Sequence, residues 1–215
     1  MIRVLLVDDH ELVRTGISRI LSDMEGIKVI GQADSGEEAV RLSRELEPDV
    51  VLMDIKMPGI GGLEATRKIS RQQPDVKVII VTVCEEEPFP SKLMEAGAVG
   101  YITKGAPLEE MVRAIKTAKL GQRYISLDIA QHLALRRFDP ESGSPFDQLS
   151  ERELQIAMMI VNCHKVAEIS DRLFLSPKTV NSYRYRLFEK LGIHSDVELA
   201  LLAVRHGVVN QETLS

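Results

Sequence analysis

Apolar residues fall in short unbroken runs through the first half of the chain and at helical spacing through the second. The runs VLLV (Val4–Val7), VVLM (Val50–Met53) and VIIV (Val78–Val81) are apolar throughout, as central strands of a parallel sheet covered on both faces should be. Strands are predicted over Arg3–Val7, Lys28–Gly31, Val50–Asp54, Val78–Thr82 and Gly100–Ile102. Helices are predicted between them, over Leu12–Asp23, Gly36–Glu47, Gly61–Gln73, a shorter piece near Ser91–Ala96, and Leu108–Leu120. Strands that alternate with helices imply right-handed crossovers, hence an α/β domain with a five-stranded, doubly wound parallel sheet.

The alternation stops near Gly121. A weakly amphipathic piece, Leu127–Leu135, suits a linker helix, and the polar, turn-rich stretch Arg136–Gln148 marks a boundary. From Leu149 onward there are no strand signals, only four short helical segments, which predict a small all-α domain. The expected division is 1–121, a linker over 122–147, and 148–211.

Bulk properties narrow the class. No apolar stretch of the 215 residues is long enough to span a membrane. The opening MIRVLLVDDHE turns acidic at once, so it reads as a strand and not a signal peptide. A cytoplasmic protein is expected. Cys84 and Cys163 lie far apart without metal spacing and are expected to be reduced thiols. The net charge of −5 speaks weakly against a nucleic-acid partner when the chain is taken whole.

Candidate chemistry gathers where parallel sheets of this class keep it, at the carboxyl ends of the strands. The first strand ends at Asp8-Asp9, the third at Asp54, the fourth at Thr82 and the fifth at Thr103-Lys104. Taken singly, Asp8 and Asp9 also suit a helix N-cap, Lys104 a solvated surface lysine and Thr82 a strand filler. Together they place three carboxylates, a hydroxyl and an ammonium on one edge. Close carboxylates repel one another and invite a hard cation such as Mg²⁺. Beside such a charge Asp54 can stay ionised and attack phosphorus, with Lys104 and the Thr82 hydroxyl receiving the phosphoryl oxygens.

The motifs VLLVDDH, DVVLMDIKMPGIGG, VTV and AGAVGYITKG resemble the receiver domain of two-component response regulators, over Met1 to about Gly121. The resemblance implies a flavodoxin-like fold and phosphorylation of Asp54 by a sensor histidine kinase. It implies Mg²⁺ held by Asp9, Asp54, the backbone carbonyl of Lys56 and, through water, Asp8. It also pairs Thr82 with Tyr101 as a switch, although Tyr101 alone could be an edge-strand aromatic. The segment after Thr82 departs from the family: Pro88 and Pro90 remove donors and predict a short or irregular fourth helix.

The third C-terminal helix opens LSPKTV, where Ser176 suits the N-cap and Pro177 the first position. Val180, Leu187 and Leu191 share one face of it, with Lys178, Ser182, Tyr185 and Arg186 roughly opposite. From Ser176 to Gly192 it carries Lys178, Arg184, Arg186 and Lys190 against Glu189, 4 − 1 = +3 within a chain of −5. Helix, tight turn, basic helix is a helix-turn-helix order whose second helix would enter the major groove of double-stranded DNA. A solvated charged face is the plain alternative.

The block from LSERELQIAMMI to LFEKLGIHS is similar to the LuxR-type DNA-binding domain. With the receiver it resembles the NarL/FixJ-type response regulators, in particular the GacA/UvrY group. That resemblance implies a transcriptional activator of small regulatory RNA genes acting on promoter DNA. Asn181, Ser182 and Tyr185 match the family's base-reading places, while Lys178, Thr179, Arg186 and Lys190 suit phosphates. Val197, Leu201 and Val204 form a stripe on the last helix, read either as core packing or, from the family, as a homodimer contact. Two departures stand out. Cys163 replaces the usual Gly after the first of these helices, which leaves the left-handed cap to Asn162. Arg184 lies on the apolar side and is expected to pair with an acid or snorkel.

Two other classes compete. An aspartyl-nucleophile phosphohydrolase commonly carries a second acid two residues on, where Lys56 stands here. A protein-interaction adaptor would not need the basic helix.

Overall fold

The computed structural model describes residues 1–57, 59–82, 90–127, 129–131, 144–206 and 208, which fall into two compact units. Among the described residues the first unit holds one parallel sheet of six strands: β1 (Ile2–Val7), β2 (Ile27–Ala33), β3 (Val50–Met53), β4 (Lys77–Thr82), β5 (Gly100–Thr103) and β6 (Tyr124–Ile125). Their spatial order is β2-β1-β3-β4-β5-β6. Helices α1 (Glu11–Ser22), α2 (Gly36–Leu46), α3 (Gly61–Gln72), α4 (Pro90–Glu95) and α5 (Leu108–Lys119) make the crossovers.

The unbroken apolar runs follow from burial on both faces. Alternate residues of each run enter two different cores. Leu5, Val7, Val51, Met53, Val78 and Ile80 pack with Ala39 and Val40 of α2, Ala65 and Ile69 of α3 and Leu93 of α4. Val4, Leu6, Val50, Leu52, Ile79 and Val81 pack with Leu21 of α1 and with Met111, Ala114, Ile115 and Ala118 of α5.

The sheet differs from the sequence reading, whereas the fourth helix is short as expected. The sheet has a sixth strand where five are predicted, because β6 is two residues long and carries no apolar run; it pairs parallel to β5, Tyr101 opposite Ile125. As a result β5 is not an edge strand, and Tyr101 is buried among Met53, Leu93 and Ile129 rather than lying at a sheet edge. Helix α4 is six residues long and begins at Pro90, where a missing N–H costs nothing. Pro88, the residues from Val83 to Phe89 and most of the expected linker helix lie outside the described residues, although Leu127 and 129–131 are helical.

The second unit is helical. A 3₁₀ turn at Pro145–Gln148 leads into α6 (Glu151–Val161), α7 (Val166–Leu173), α8 (Pro177–Leu191) and α9 (Asp196–Arg205). Phe146, Leu154, Ile169, Val180, Leu187, Leu199 and Ala203 are buried within it. Each of three starts has a serine cap: Ser150 Oγ accepts from Glu153 N, Ser176 Oγ from Thr179 N and Ser195 Oγ from Glu198 N. After α6 it is Cys163, not Asn162, that takes the left-handed conformation, at φ 61°. The Cys163 and His164 amides then reach back to Ile160 and Met159, closing the helix end. The stripe on α9 is not core: Val197 is 69% and Leu201 62% exposed, while Leu199 and Ala203 face inward.

Candidate functional site

The strand order reverses at β1, which lies between β2 and β3, so a crevice opens at their carboxyl ends. Asp8 follows β1 and Asp54 follows β3, both almost fully buried. Lys104, one residue past β5, joins them. Its Nζ lies 2.6 Å from Asp8 Oδ2 and 2.9 Å from Asp54 Oδ2. The Ile55 amide donates to Asp54 Oδ1 at 2.8 Å and the Lys56 amide to the same oxygen at 3.4 Å. The backbone therefore fixes one carboxylate oxygen of Asp54, and Lys104 holds the other.

Neither Asp8 nor Asp9 caps α1, whose N-cap is His10. Asp8 Oδ1 instead accepts from the His10 amide at 2.9 Å, forming a turn that keeps the carboxylate in the crevice. Asp8, Asp9, His10 and Asp54 each offer a ligand atom, all within 4.8 Å of one another. Burial pushes the Asp54 carboxyl up to about 6, against the pull of Lys104 and with added repulsion from Asp8 and Asp9. Burial also works against the Lys104 ammonium, yet Asp54 and Asp8 hold it above its ordinary value. Three carboxylates with one ammonium leave uncompensated negative charge. An oxygen-rich donor set in that state fits a hard divalent cation.

Thr82 is buried at the end of β4, and its carbonyl accepts from the Lys104 amide at 2.5 Å. Tyr101 lies on β5 three residues before Lys104, inside the core. The structure thus brings Asp8, Asp9, Asp54 and Lys104 together and sets Thr82 beside them on the neighbouring strand. It keeps Tyr101 one layer in.

Three contributors escape the sequence reading. His10 Nδ1 lies 2.8 Å from Asp9 Oδ1. Arg14 donates to the carbonyl oxygen of Asp8 at 2.6 Å, holding the turn from the next helix. Gly62, the second residue of α3, lies so close to the strand end that a Cβ there would lie 2.0 Å from the carbonyl oxygen of Asp54. The Gly61-Gly62 pair is the one signal that was readable, since paired glycines permit close backbone approach.

On α8 of the second unit, Lys178, Thr179, Ser182, Tyr183 and Arg186 line one depression. Lys178, Ser182, Arg186 and Tyr185 are exposed, Tyr185 at 73%; Thr179 and Asn181 are half-buried. Arg186 lies 5.8 Å from the Tyr183 ring centroid, which limits its freedom. The Thr179 hydroxyl is engaged with Ser176 at 2.8 Å, and the Ser182 hydroxyl donates to the Lys178 carbonyl at 3.0 Å. Arg184 pairs with Asp196 through two hydrogen bonds, at 2.8 and 2.6 Å, and lies 5.3 Å from the Phe188 ring centroid. Lys190 lies 2.6 Å from Glu153.

Comparison with known proteins finds two family matches along the chain. Residues 4–116 match the response regulator receiver domain, and residues 147–203 match the luxR family of bacterial regulatory proteins. The chain is 71% identical to response regulator GacA of Pseudomonas aeruginosa over 98% of this chain and 99% of that one. It is 63% identical to response regulator UvrY of Escherichia coli K12 over 100% and 99%. Among solved structures, RcsB of Salmonella enterica serovar Typhimurium, bound to promoter rprA with phosphomimetic BeF3−, shares the fold. That likeness has a TM-score of 0.73 at 22% identity, covering 94% of this chain and 97% of that one.

Proposed function

The chain belongs to the response regulators that join a receiver to a LuxR-type domain, and on that premise we propose that it is a transcription factor switched by phosphorylation of Asp54. Residues 1–121 act as the phosphoacceptor unit, 122–147 as the linker and 148–211 as the DNA-binding unit. The observation that carries the reading is the Asp54 carboxylate. It is rigidly held at a strand end, with Lys104 on one oxygen and two more acids alongside.

The implied donor is the phospho-histidine of a sensor kinase. An Asp54 oxygen attacks phosphorus, the P–N bond breaks, and its electron pair returns to the imidazole, which takes up a proton. Lys104 then exchanges one carboxylate partner for the phosphoryl oxygens, and the Thr82 hydroxyl supplies a second donor. Asp9, Asp54, the Lys56 carbonyl and, through water, Asp8 would hold Mg²⁺, whose charge offsets the anionic oxygens of both partners. Movement of Thr82 toward the new group leaves room for the Tyr101 ring to follow, which changes the receiver surface.

In the second unit, α8 enters the major groove of promoter DNA. Asn181, Ser182 and Tyr185 read base edges, and Lys178, Thr179 and Arg186 contact phosphates. Lys178 and Arg186 support this reading as exposed bases of α8 with no carboxylate partner among the described residues. The exposed Val197–Leu201 stripe of α9 supports a homodimer that reads two half-sites. Small regulatory RNA genes are the expected targets, after the group the chain resembles, and the cytoplasm is the expected place of work. No described helix is long and apolar enough to cross a membrane.

Intact mass after incubation with acetyl phosphate and Mg²⁺ tests the site. Wild type gains one phosphoryl group and Asp54→Asn gains none. Equal labelling of the two proteins would remove Asp54 from the role.

A further inference from the structure

The structure divides the bases of α8 into two kinds. Lys178 and Arg186 are exposed and have no carboxylate partner among the described residues, whereas Lys190, although 41% exposed, has one. Arg184 and Lys190 are each committed to a carboxylate of another segment. For Lys190 the commitment is built on both sides of the residue. Its Nζ lies 2.6 Å from Glu153 Oε2, and its carbonyl oxygen accepts from Gln148 Nε2 at 2.7 Å. Glu153 is only 4% exposed, and its Oε2 also accepts from the amide and the hydroxyl of Ser150, each at 2.8 Å. Although burial raises the Glu153 carboxyl, the hydrogen bonds from Lys190 and Ser150 outweigh it and hold it below its ordinary value. The last turn of α8 is therefore fastened to Gln148, at the end of the 3₁₀ turn, and to Glu153, in the first turn of α6.

From this geometry we infer that Lys190 is a positioning residue for the DNA-reading helix and not a phosphate contact: the Gln148–Glu153–Lys190 clamp fixes the far end of α8 and so sets which bases Asn181, Ser182 and Tyr185 meet. The inference rests on the DNA-binding reading given above. Its physical ground is the cost of releasing Lys190. A nearly buried carboxylate would lose its counter-charge, a loss greater than one exposed ammonium–phosphate contact returns. A phosphate contact serves every sequence equally, whereas a helix tilt serves only the sequence whose base edges it aligns.

The test measures affinity of the full chain across a salt series for two duplexes of equal length. One is selected by the wild-type protein from a random library; the other is unselected. Lys178→Met is the control for a true phosphate contact and lowers the slope of log K against log salt by about one. Lys190→Met should weaken the selected duplex about tenfold, as misreading one base pair does, and leave the unselected duplex and the slope unchanged. Glu153→Gln should do the same, because it opens the clamp while freeing the ammonium. Gln148→Ala removes only the bond to the Lys190 carbonyl, keeps both charges and the capping box, and should weaken the selected duplex several-fold. That variant keeps the test open if either charge variant fails to fold. A slope lowered by one in Lys190→Met, or tighter binding by Glu153→Gln on both duplexes, would overturn the inference. Absence of salt-dependent binding by wild type to either duplex would remove the DNA-binding reading itself, and the inference with it.

Discussion

Asp54 lies where its surroundings oppose ionisation. Its carboxyl, ordinarily at 3.8, is pushed up to about 6 by burial and by the neighbouring acids. The fold therefore favours the protonated form. Whatever stability this group gives is present below about pH 4 and is lost as pH rises through about 6. In chelator, Asp54→Asn is expected to be more stable than wild type at pH 8, by at most about 3 kcal/mol, and equal to it near pH 4. Urea midpoints at the two pH values check this, and parallel pH profiles would show that the Asp54 charge is not strained. The same residues show what a sequence can reveal at this scale. Asp8, Asp54 and Lys104 were legible because each ends an apolar strand, and strand ends of one sheet converge. Arg14 was not, because its role depends on a backbone atom, the Asp8 carbonyl that it caps. Gly62 left a signal only in the Gly61-Gly62 pair; the Asp54 carbonyl that a Cβ there would strike is set by the fold.

Elements were legible in proportion to how completely they are buried. The runs Val4–Val7 of β1, Val50–Met53 of β3 and Val78–Val81 of β4 divide their side chains between two cores, so no polar residue interrupts them. The edge strand β2 is half exposed and extends from Ile27 to Ala33, beyond the Lys28–Gly31 that its pattern predicts. β6 is two half-buried residues held by pairing to β5, which only three-dimensional proximity reveals. The apolar stripe of α9 shows the converse limit. Spacing marks a face, but it does not say whether that face meets the chain's own core. The pattern points to Asn162 at the end of α6, because asparagine tolerates the left-handed region better than cysteine does. Cys163 occupies it nonetheless, exposed and with φ of 61°. Cys163→Gly should therefore stabilise the second unit by about 0.5–1 kcal/mol, the left-handed penalty less the added freedom of glycine in the unfolded chain. Denaturant titration of the two proteins measures this directly, and a loss of stability would mean that the cysteine side chain contributes packing that outweighs its backbone strain.

For the molecule as a whole, net charge was a poor guide. The −5 of the chain conceals a basic helix, and that helix in turn commits two of its four bases to Asp196 and Glu153. The bases without a carboxylate partner among the described residues make a narrower positive face than the count of +3 suggests, centred on Lys178 and Arg186. The acidic crevice and this face belong to different units, so the proposed function requires that charge placed on one be felt by the other. A phosphoryl group adds negative charge where negative charge is already in excess, and the receiver must settle into a state that accommodates it. The most direct measurement is the affinity of the full chain for a selected duplex at fixed salt, with and without acetyl phosphate and Mg²⁺, in wild type and in Asp54→Asn. Binding that tightens about tenfold with the phosphodonor in wild type alone is the predicted result. Equal affinity in all four conditions would contradict it, leaving a DNA-binding protein that its acidic crevice does not govern.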